Sequence, residues 1–541
     1  MDRLWNLIRS SASKEFAVSL FGIWVLCWLA VGVYRVYFHP LANIPGPKLA
    51  AFTFWYEFYY EIYPHKFQYM WKIKQLHEEY GRLSTGICLP DLIRATGPII
   101  RINPLQVHIH DADYFETIYA SGANHKRDRC SWSHHSGAKT WAGAILETMD
   151  HDLHKLRRNA VSPFFSKRSV QALEGLVVNN TKKLVNRFAG EMDKTGPKAG
   201  VVNLNNAYAA FTMDIISEYC FGESMKSLDH DEYAKDWLKM MHEGMQIEPF
   251  ARQFPTIFNF MLDLPPHIVA KLDSGIAQLN AFNLSMLGKI KRIMNREDGD
   301  GDAKNLRRTI FHDIRDDVGC KLPEKEKEPM RLMADASVIL GAGTETTART
   351  MAVTTYYLIK DPEIGEKLRE ELKIVMPTVN HEVSLSQLEA LPYLTAVINE
   401  GLRCAHGVSS RQPRVPTGES LQYGPYTIPR GTPVMQSSYL LHTDPSIYPD
   451  PLTFRPERWL DNPKLTRYFF AFGRGSRNCL GMNLATSELY TGLAMIWRRF
   501  RMEVNDTVER RDVLTTNDCF LGMPDLGSEG IQVRVVGVVE G

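Results

Sequence analysis

Of the eight cysteines in this 541-residue chain, one stands where chemistry is possible. Cys479 falls in the run Phe472-Gly-Arg-Gly475-Ser-Arg477-Asn-Cys479-Leu-Gly481, followed by the helical MNLATSELYTGLAMIW. A cysteine just ahead of a helix N-terminus meets free backbone N–H groups and the positive end of the helix dipole, and both favour the thiolate. Arg477 adds positive charge, and Gly475 and Gly481 let the backbone approach something large and flat. With no second Cys or His beside it, this thiolate suits a single axial bond to haem iron better than a zinc site. The other seven (Cys27, Cys88, Cys130, Cys220, Cys320, Cys404 and Cys519) form no CxxC pair and are too sparse for a disulfide scaffold.

Other residues have types and spacings that could serve such a centre. Gly341-Ala342-Gly343-Thr344-Glu345-Thr346-Thr347 lies in the middle of Pro329–Lys360, a helical candidate with Pro near its start and Asp361-Pro362 as its stop. Glycines and threonines stand there where good helix formers belong, each Gly costing ~1 kcal/mol relative to Ala. Either another helix packs closely, or the helix opens locally and turns carbonyls and hydroxyls toward a bound group. Glu400 and Arg403 are three apart, hence on one helix face. Arg296-Glu-Asp-Gly-Asp-Gly-Asp302 looks like a calcium loop, but it lacks the sixth-position Gly and has Thr309 in place of the twelfth-position Glu. A solvated linker is expected.

The elements that must position these residues are mostly helices. Helical periodicity runs from about 150 to 405, with strand-like runs at Ile99–Ile109 and Val415–Val434. The second half of the latter, GPYTIPRGTPV, reads as a hairpin. The expected class is mainly α with a small β lobe (α+β).

Taken together, the motifs resemble the cytochrome P450 family. The cysteine loop matches the family's F-x-x-G-x-R-x-C-x-G at Phe472, Gly475, Arg477, Cys479 and Gly481. Ala342–Thr347 matches the oxygen-activating pattern of its long central helix, Glu400-Gly-Leu-Arg403 its E-x-x-R, and Phe454-Arg-Pro456-Glu457-Arg458-Trp459 its P-E-R segment, all in the family's order. The resemblance runs from Pro40 to the C-terminus. It implies the cytochrome P450 fold, heme b with Cys479 as axial thiolate on the iron, and insertion of one atom of dioxygen into a small apolar substrate. It implies that Glu345 and Thr346 relay protons, a general acid–base task. Glu400, Arg403 and Arg458 would lock into a structural network behind the haem, while Arg477, His154, Arg158 and Arg414 would hold its propionates. Electrons would come from NADPH through a separate NADPH–cytochrome P450 reductase, because no flavin or nicotinamide fingerprint occurs in the chain. The alternative is an oxygen-independent haem-thiolate isomerase or dehydratase, against which Glu345 and Thr346 argue.

One stretch departs from the family. Glu79-Tyr80-Gly81 is separated from Gly97-Pro98 by residues 82–96 (RLSTGICLPDLIRAT), which reads as an insert or retained intron. The runs HPLANIPGPKLAA, WYEFYY and GVSSRQPRV look most like fungal microsomal members of the type that includes trichodiene oxygenase, which act on secondary metabolites. A terpenoid substrate is the first expectation, with polyketide or alkaloid scaffolds next. By the same resemblance the pocket would be lined from about 120–145, 205–255, Ala342–Thr346, Ala405–Ser410 and Asp518–Leu521, with Ala342 and Phe520 the residues singled out.

Composition excludes several classes. Lys plus Arg is 63 and Asp plus Glu 62, so no overall basic footprint for nucleic acid exists. At 44% hydrophobic and 23% charged residues the chain is neither disordered nor fibrous. Phe16 to Tyr34 is a charge-free run that as a helix would span about 28 Å, close to the bilayer's hydrocarbon thickness. It exceeds a signal peptide's usual apolar core, so a retained single-pass anchor is expected. Arg3, Arg9 and Lys14 before it and Arg35 and Lys48 after it do not by themselves orient the head. The family implies an endoplasmic reticulum membrane and a cytosolic head. The expected layout is an anchor at 1–36, a proline-rich hinge at 37–50 and a haem-thiolate monooxygenase domain at 51–541, acting as a monomer.

Overall fold

The computed structural model describes residues 2–83, 98–122, 124–132, 141, 143–197, 199–265, 267–269, 274–297, 309–319 and 321–539. Helices dominate, with small sheets, as the periodicity indicates. The chain divides into two compact units, residues 1–110 with 415–435, and residues 111–414 with 436–541.

In the first unit a helix runs from Asp2 to Tyr37. Its Phe16–Tyr37 part is, among the described residues, the one stretch long and apolar enough to cross a membrane, and nearly all of it faces outward. The prolines that follow end the helix, and the turn is then tied down. Arg101 donates from Nη1 to Arg35 O (2.7 Å) and from Nη2 to Pro104 O (2.6 Å), while its backbone N–H reaches Pro45 O at 2.7 Å. Ile99–Arg101 pairs antiparallel with Val107–Ile109, which runs parallel to Val434–Met435. The expected hairpin is displaced. Leu421–Tyr423 pairs with Tyr426–Ile428 around Gly424 (φ +53°), so GPYTIPRGTPV supplies the turn and one strand, and Val434 leaves for the parallel pair. A two-residue turn needs a residue tolerant of positive φ, and Gly424 meets that need earlier than Gly431 does. The 82–96 stretch falls outside the described residues apart from Arg82 and Leu83, which end the helix Tyr69–Leu83. Most of the linker after Arg296 lies outside them too.

The second unit is built on the helix Pro329–Lys360, present with the bounds its Pro and Asp-Pro signals indicate. It packs most extensively on Leu204–Phe221, and also on Ser274–Met294, Pro392–Ala405 and Met482–Arg499. The Gly-Thr segment stays helical, so the local opening does not occur and close packing accounts for the glycines. A Cβ on Gly343 would stand 3.1 Å from Ile216 Cγ1, and one on Gly341 3.0 Å from Met241 Cε. The threonines stay compatible with the helix by donating to carbonyls four residues back, as Thr344 does to Leu340 O (2.8 Å) and Thr346 to Ala342 O (2.9 Å). One continuous core, including Phe211, Leu340, Met351, Leu368 and Leu493, joins these helices to the antiparallel strands Val201–Asn203, Gln532–Val538 and Phe500–Val504.

Candidate functional site

The cysteine loop is shaped by its glycines. Gly473 and Gly475 have φ +63° and +75°, and a Cβ on Gly475 would collide with the carbonyl oxygen of Tyr119. Phe472 anchors the turn by accepting from the N–H of Cys479 at 2.8 Å. Gly481 then caps the helix Met482–Arg499, and a Cβ there would meet nothing within 4 Å. The Cys479 side chain is accessible, whereas Cys130, Cys220 and Cys519 are buried. Burial nevertheless pushes its thiol up, outweighing the Gly481 N–H and the Arg158 charge that favour the thiolate. Arg158, not Arg477, is the guanidinium that acts on it.

Beside the loop cations gather. Arg158, on the helix His151–Val161, donates from Nη1 to Asn478 O and from Nη2 to Asn478 Oδ1, both at 2.8 Å. Arg477 reaches Thr148 O and Met149 O at 2.8 Å each, leaving its buried Nε without a partner among the described residues. Arg414 stacks over Tyr119 at 5.3 Å. Burial and mutual repulsion lower these groups. Arg477 falls to about 9 through burial, Arg414 and Arg129, and Arg414 falls to about 10 through burial, with Arg129 adding. His154 is pushed down to about 3 by burial, then Arg477, Arg158 and Arg414. So Arg477, His154, Arg158 and Arg414 converge. Arg129, which the motifs did not mark, joins them while pairing with Glu147 at 2.9 Å. Its signal is only three-dimensional, because no motif spans it. Asp128 and Asp150 offset part of the charge at Arg477 and Glu147 part of that at Arg129, and an added anion among these guanidiniums would be stabilised. The residues present fit haem, a flat group with two carboxylates and one axial thiolate position.

Behind the loop, Glu400 and Arg403 lie on the helix Pro392–Ala405 and are fully buried. Glu400 Oε1 accepts from Arg403 Nη2 (2.7 Å), Arg458 Nε (3.0 Å) and Arg455 N (2.9 Å). Its Oε2 accepts from Arg403 Nε and Trp459 Nε1, both at 2.9 Å. The guanidiniums spend their remaining donors on chain carbonyls, Arg403 on His442 O, Pro451 O and Thr453 O, Arg458 on Pro449 O, Asp450 O and Thr453 O. Burial opposes the Glu400 charge, but the hydrogen bond and charge of Arg403 and the charge of Arg458 win and hold its carboxyl below the usual range. Trp459 and the Arg455 amide are partners the motif did not announce.

On the central helix, Ala342 is exposed and Thr346 half-buried, while Glu345 is buried and its Oε1 lies 3.0 Å from His242 Nε2. Phe520 sits at φ +72° between the paired strands Asn517–Cys519 and Leu521–Met523, its carbonyl accepting from Ser409 N and Ser410 N. The space beside it is lined by Arg129, Glu248, Arg252, Arg411 and Arg414 and measures about 30 Å³. That is room for water rather than for a substrate, and its walls are charged. Residues 133–140 of the expected lining lie outside the described residues.

An accessible thiol in a glycine-shaped loop with guanidiniums gathered beside it is the arrangement a haem-thiolate protein needs. Comparison with known proteins gives the family. The cytochrome P450 family model matches residues 89–528. The chain is 39% identical over 533 residues to the cytochrome P450 monooxygenase ucsK of Acremonium sp, covering 93% of this chain and 95% of the relative. It is 35% identical over 543 residues to oblB of Cochliobolus heterostrophus (99% of each). To TRI4 of Trichoderma arundinaceum it is 36% identical over 500 residues, 91% of this chain and 90% of that one. The chain belongs to the cytochrome P450 family, oxidoreductases that use haem iron ligated by a cysteine thiolate.

Proposed function

We propose that this protein is a fungal secondary-metabolism monooxygenase that hydroxylates or epoxidises a small apolar molecule, a terpenoid first, a polyketide or alkaloid scaffold next. The observation that carries the reading is the accessible Cys479 thiol in a loop of family sequence beside the arginine cluster. When bound, haem supplies dioxygen activation and oxygen insertion, with the thiolate's electron donation favouring O–O cleavage. Cys479 would hold the haem iron through its thiolate, its own position set by the Phe472 carbonyl and the Gly481 N–H. Arg158, Arg414, Arg477 and Arg129 would hold the propionates as charge-assisted pairs, and His154, neutral at physiological pH, would contribute an N–H. Glu345 and Thr346 hold and pass protons at Oε1 and Oγ1. Glu400, Arg403 and Arg458 keep the Pro449–Trp459 segment, and so the approach to the loop, in place.

The apolar Phe16–Tyr37 helix supports single-pass anchoring in the endoplasmic reticulum membrane with the head cytosolic, where a separate NADPH-dependent reductase would deliver electrons. The anchor at 1–36, the hinge at 37–50, the domain at 51–541 and an insert at 82–96 complete the proposed layout. The test is a reduced carbon monoxide difference spectrum of the full chain in microsomes. A band near ~450 nm supports the reading, and one near ~420 nm in its place rejects the thiolate bond. Metabolite profiling of a deletion strain then names the substrate, and accumulation of a compound already carrying the oxygen would refute the proposed step.

A further inference from the structure

We propose that His242 is the positioning residue that holds Glu345 and supplies it with protons; this deepens the monooxygenase reading above and rests on it. The observation is an asymmetric contact between two helices. Met241, on the helix Lys235–Gln246, fills the space over Gly341 of the central helix. That seat delivers the next residue, His242, to the following turn, where its Nε2 stands 3.0 Å from Glu345 Oε1. The Glu345 side chain is 6% accessible and the His242 side chain 33%, so one end of the contact is sealed and the other is open.

Within the described residues no other side chain hydrogen-bonds the Glu345 carboxyl, and none holds Nδ1 of His242. Thr346 is committed to Ala342 O at 2.9 Å. Arg349, one turn beyond Glu345, gives Nη2 to Val513 O at 3.0 Å and acts on Glu345 by charge alone. Lys239 and Glu243, beside His242 on its own helix, face each other at 4.0 Å. A buried carboxyl that gives up protons must be refilled, and imidazole is the side chain best suited to shuttle them near neutral pH. The step balances on the ring. Nδ1 takes a proton from hydronium at the open side while Nε2–H passes one to the Glu345 carboxylate, and exchange with water, which removes the Nδ1 proton and returns one to Nε2, restores the starting tautomer with no net change in the ring. The pair lies 103 positions apart in sequence, which is why no motif contains it.

The experiment uses the full chain in microsomes with reductase, NADPH and dioxygen and no organic substrate, and reads hydrogen peroxide release in H2O and D2O. The carbon monoxide band is recorded first. Its absence from the wild type defeats the functional reading, whereas its presence in wild type and variants leaves the His242 question to stand alone. His242→Phe is expected to slow peroxide release about tenfold and to raise the solvent isotope effect, a loss within the range of acid–base steps. His242→Gln, which keeps a donor but carries no proton, is expected to stay as slow. Thermal midpoints of His242→Phe, Glu345→Gln and the double variant give the readout independent of turnover, and the double variant is expected to fall short of the sum of the singles. Wild-type peroxide release in His242→Phe, recovery of the rate in His242→Gln, or strictly additive midpoints would each overturn the proposal.

Discussion

Replacing Glu400 by Gln separates the network that holds the cysteine loop from the loop itself. The carboxylate takes five hydrogen bonds, from Arg403 (two), Arg458, the Arg455 amide and Trp459. An amide keeps one accepting oxygen and puts an NH2 group where Oε2 met Arg403 Nε–H and Trp459 Nε1–H. Donor then faces donor, and two buried guanidiniums lose their counter-charge. Breaking a buried ion pair from one side costs about 3–5 kcal/mol, and an orphaned buried donor about 1–3 kcal/mol, with overlap between the two. About 5 kcal/mol is therefore expected. Unfolding entropy of about 2.1 cal/mol/K per residue over a unit of about 400 residues converts this to a Tm drop of about 6 °C. The difference depends on pH in a fixed direction. The folded Glu400 carboxyl lies below its unfolded value, so its contribution is complete above about pH 4.3 and fades as pH falls through the folded value. Wild type and Glu400→Gln should thus converge in strong acid. Calorimetry of both proteins and their carbon monoxide spectra are the assay. The variant is expected to keep Cys479 yet lose haem on mild heating, because Pro449, Asp450, Pro451 and Thr453 have lost the two arginines that grip their carbonyls. A Tm within about 1 °C of wild type together with full haem retention would refute the reasoning.

Cys479→Ala is expected to fold with a near-native Tm but to give no band near ~450 nm; a variant that still shows that band ends the axial assignment. Gly475→Ala adds a methyl that strikes the Tyr119 carbonyl at a left-handed φ, so a loss of about 3 kcal/mol is expected in denaturant titration. Gly481→Ala meets open space at an ordinary φ and should leave folding unchanged, any effect showing in haem titration instead. His154 and His442 are held at about 3 and His406 well below its ordinary value, each first by burial. His442 Nε2, accepting from Phe470 N at 3.0 Å, has to stay unprotonated. An unfolded histidine takes a proton near pH 6.5, so stability should fall by about 4 kcal/mol from pH 7.5 to 5.5 and return on raising the pH. Urea titrations at the two pH values measure this, and flat stability would count against three neutral histidines.

What could be read from the sequence was what local spacing encodes. The cysteine loop, Glu400 with Arg403, and the bounds of Pro329–Lys360 depend on residues within a few positions of each other, so side-chain type and helix periodicity suffice. The contacts that complete those pieces run through the fold. Trp459 reaches Glu400 across 59 positions, and His242 reaches Glu345 across 103. Arg129 enters the cation cluster only because its strand is carried to Arg414 and Arg477. One open alternative was settled and one local reading failed, each for a physical reason. The helix at Gly341–Thr347 did not open, because Met241 and Ile216 fill the room the missing side chains leave and the threonines answer their own carbonyls. The hairpin moved because Gly424 offered a tighter turn than Gly431 and the following strand had a parallel partner in Val107–Ile109. The Gly-Thr segment thus owes its composition to packing and the loop at Cys479 owes its glycines to backbone approach. Glycines that read alike in sequence do different physical work: a Cβ at Gly343 would press on a side chain that can shift, one at Gly475 on a backbone carbonyl that cannot.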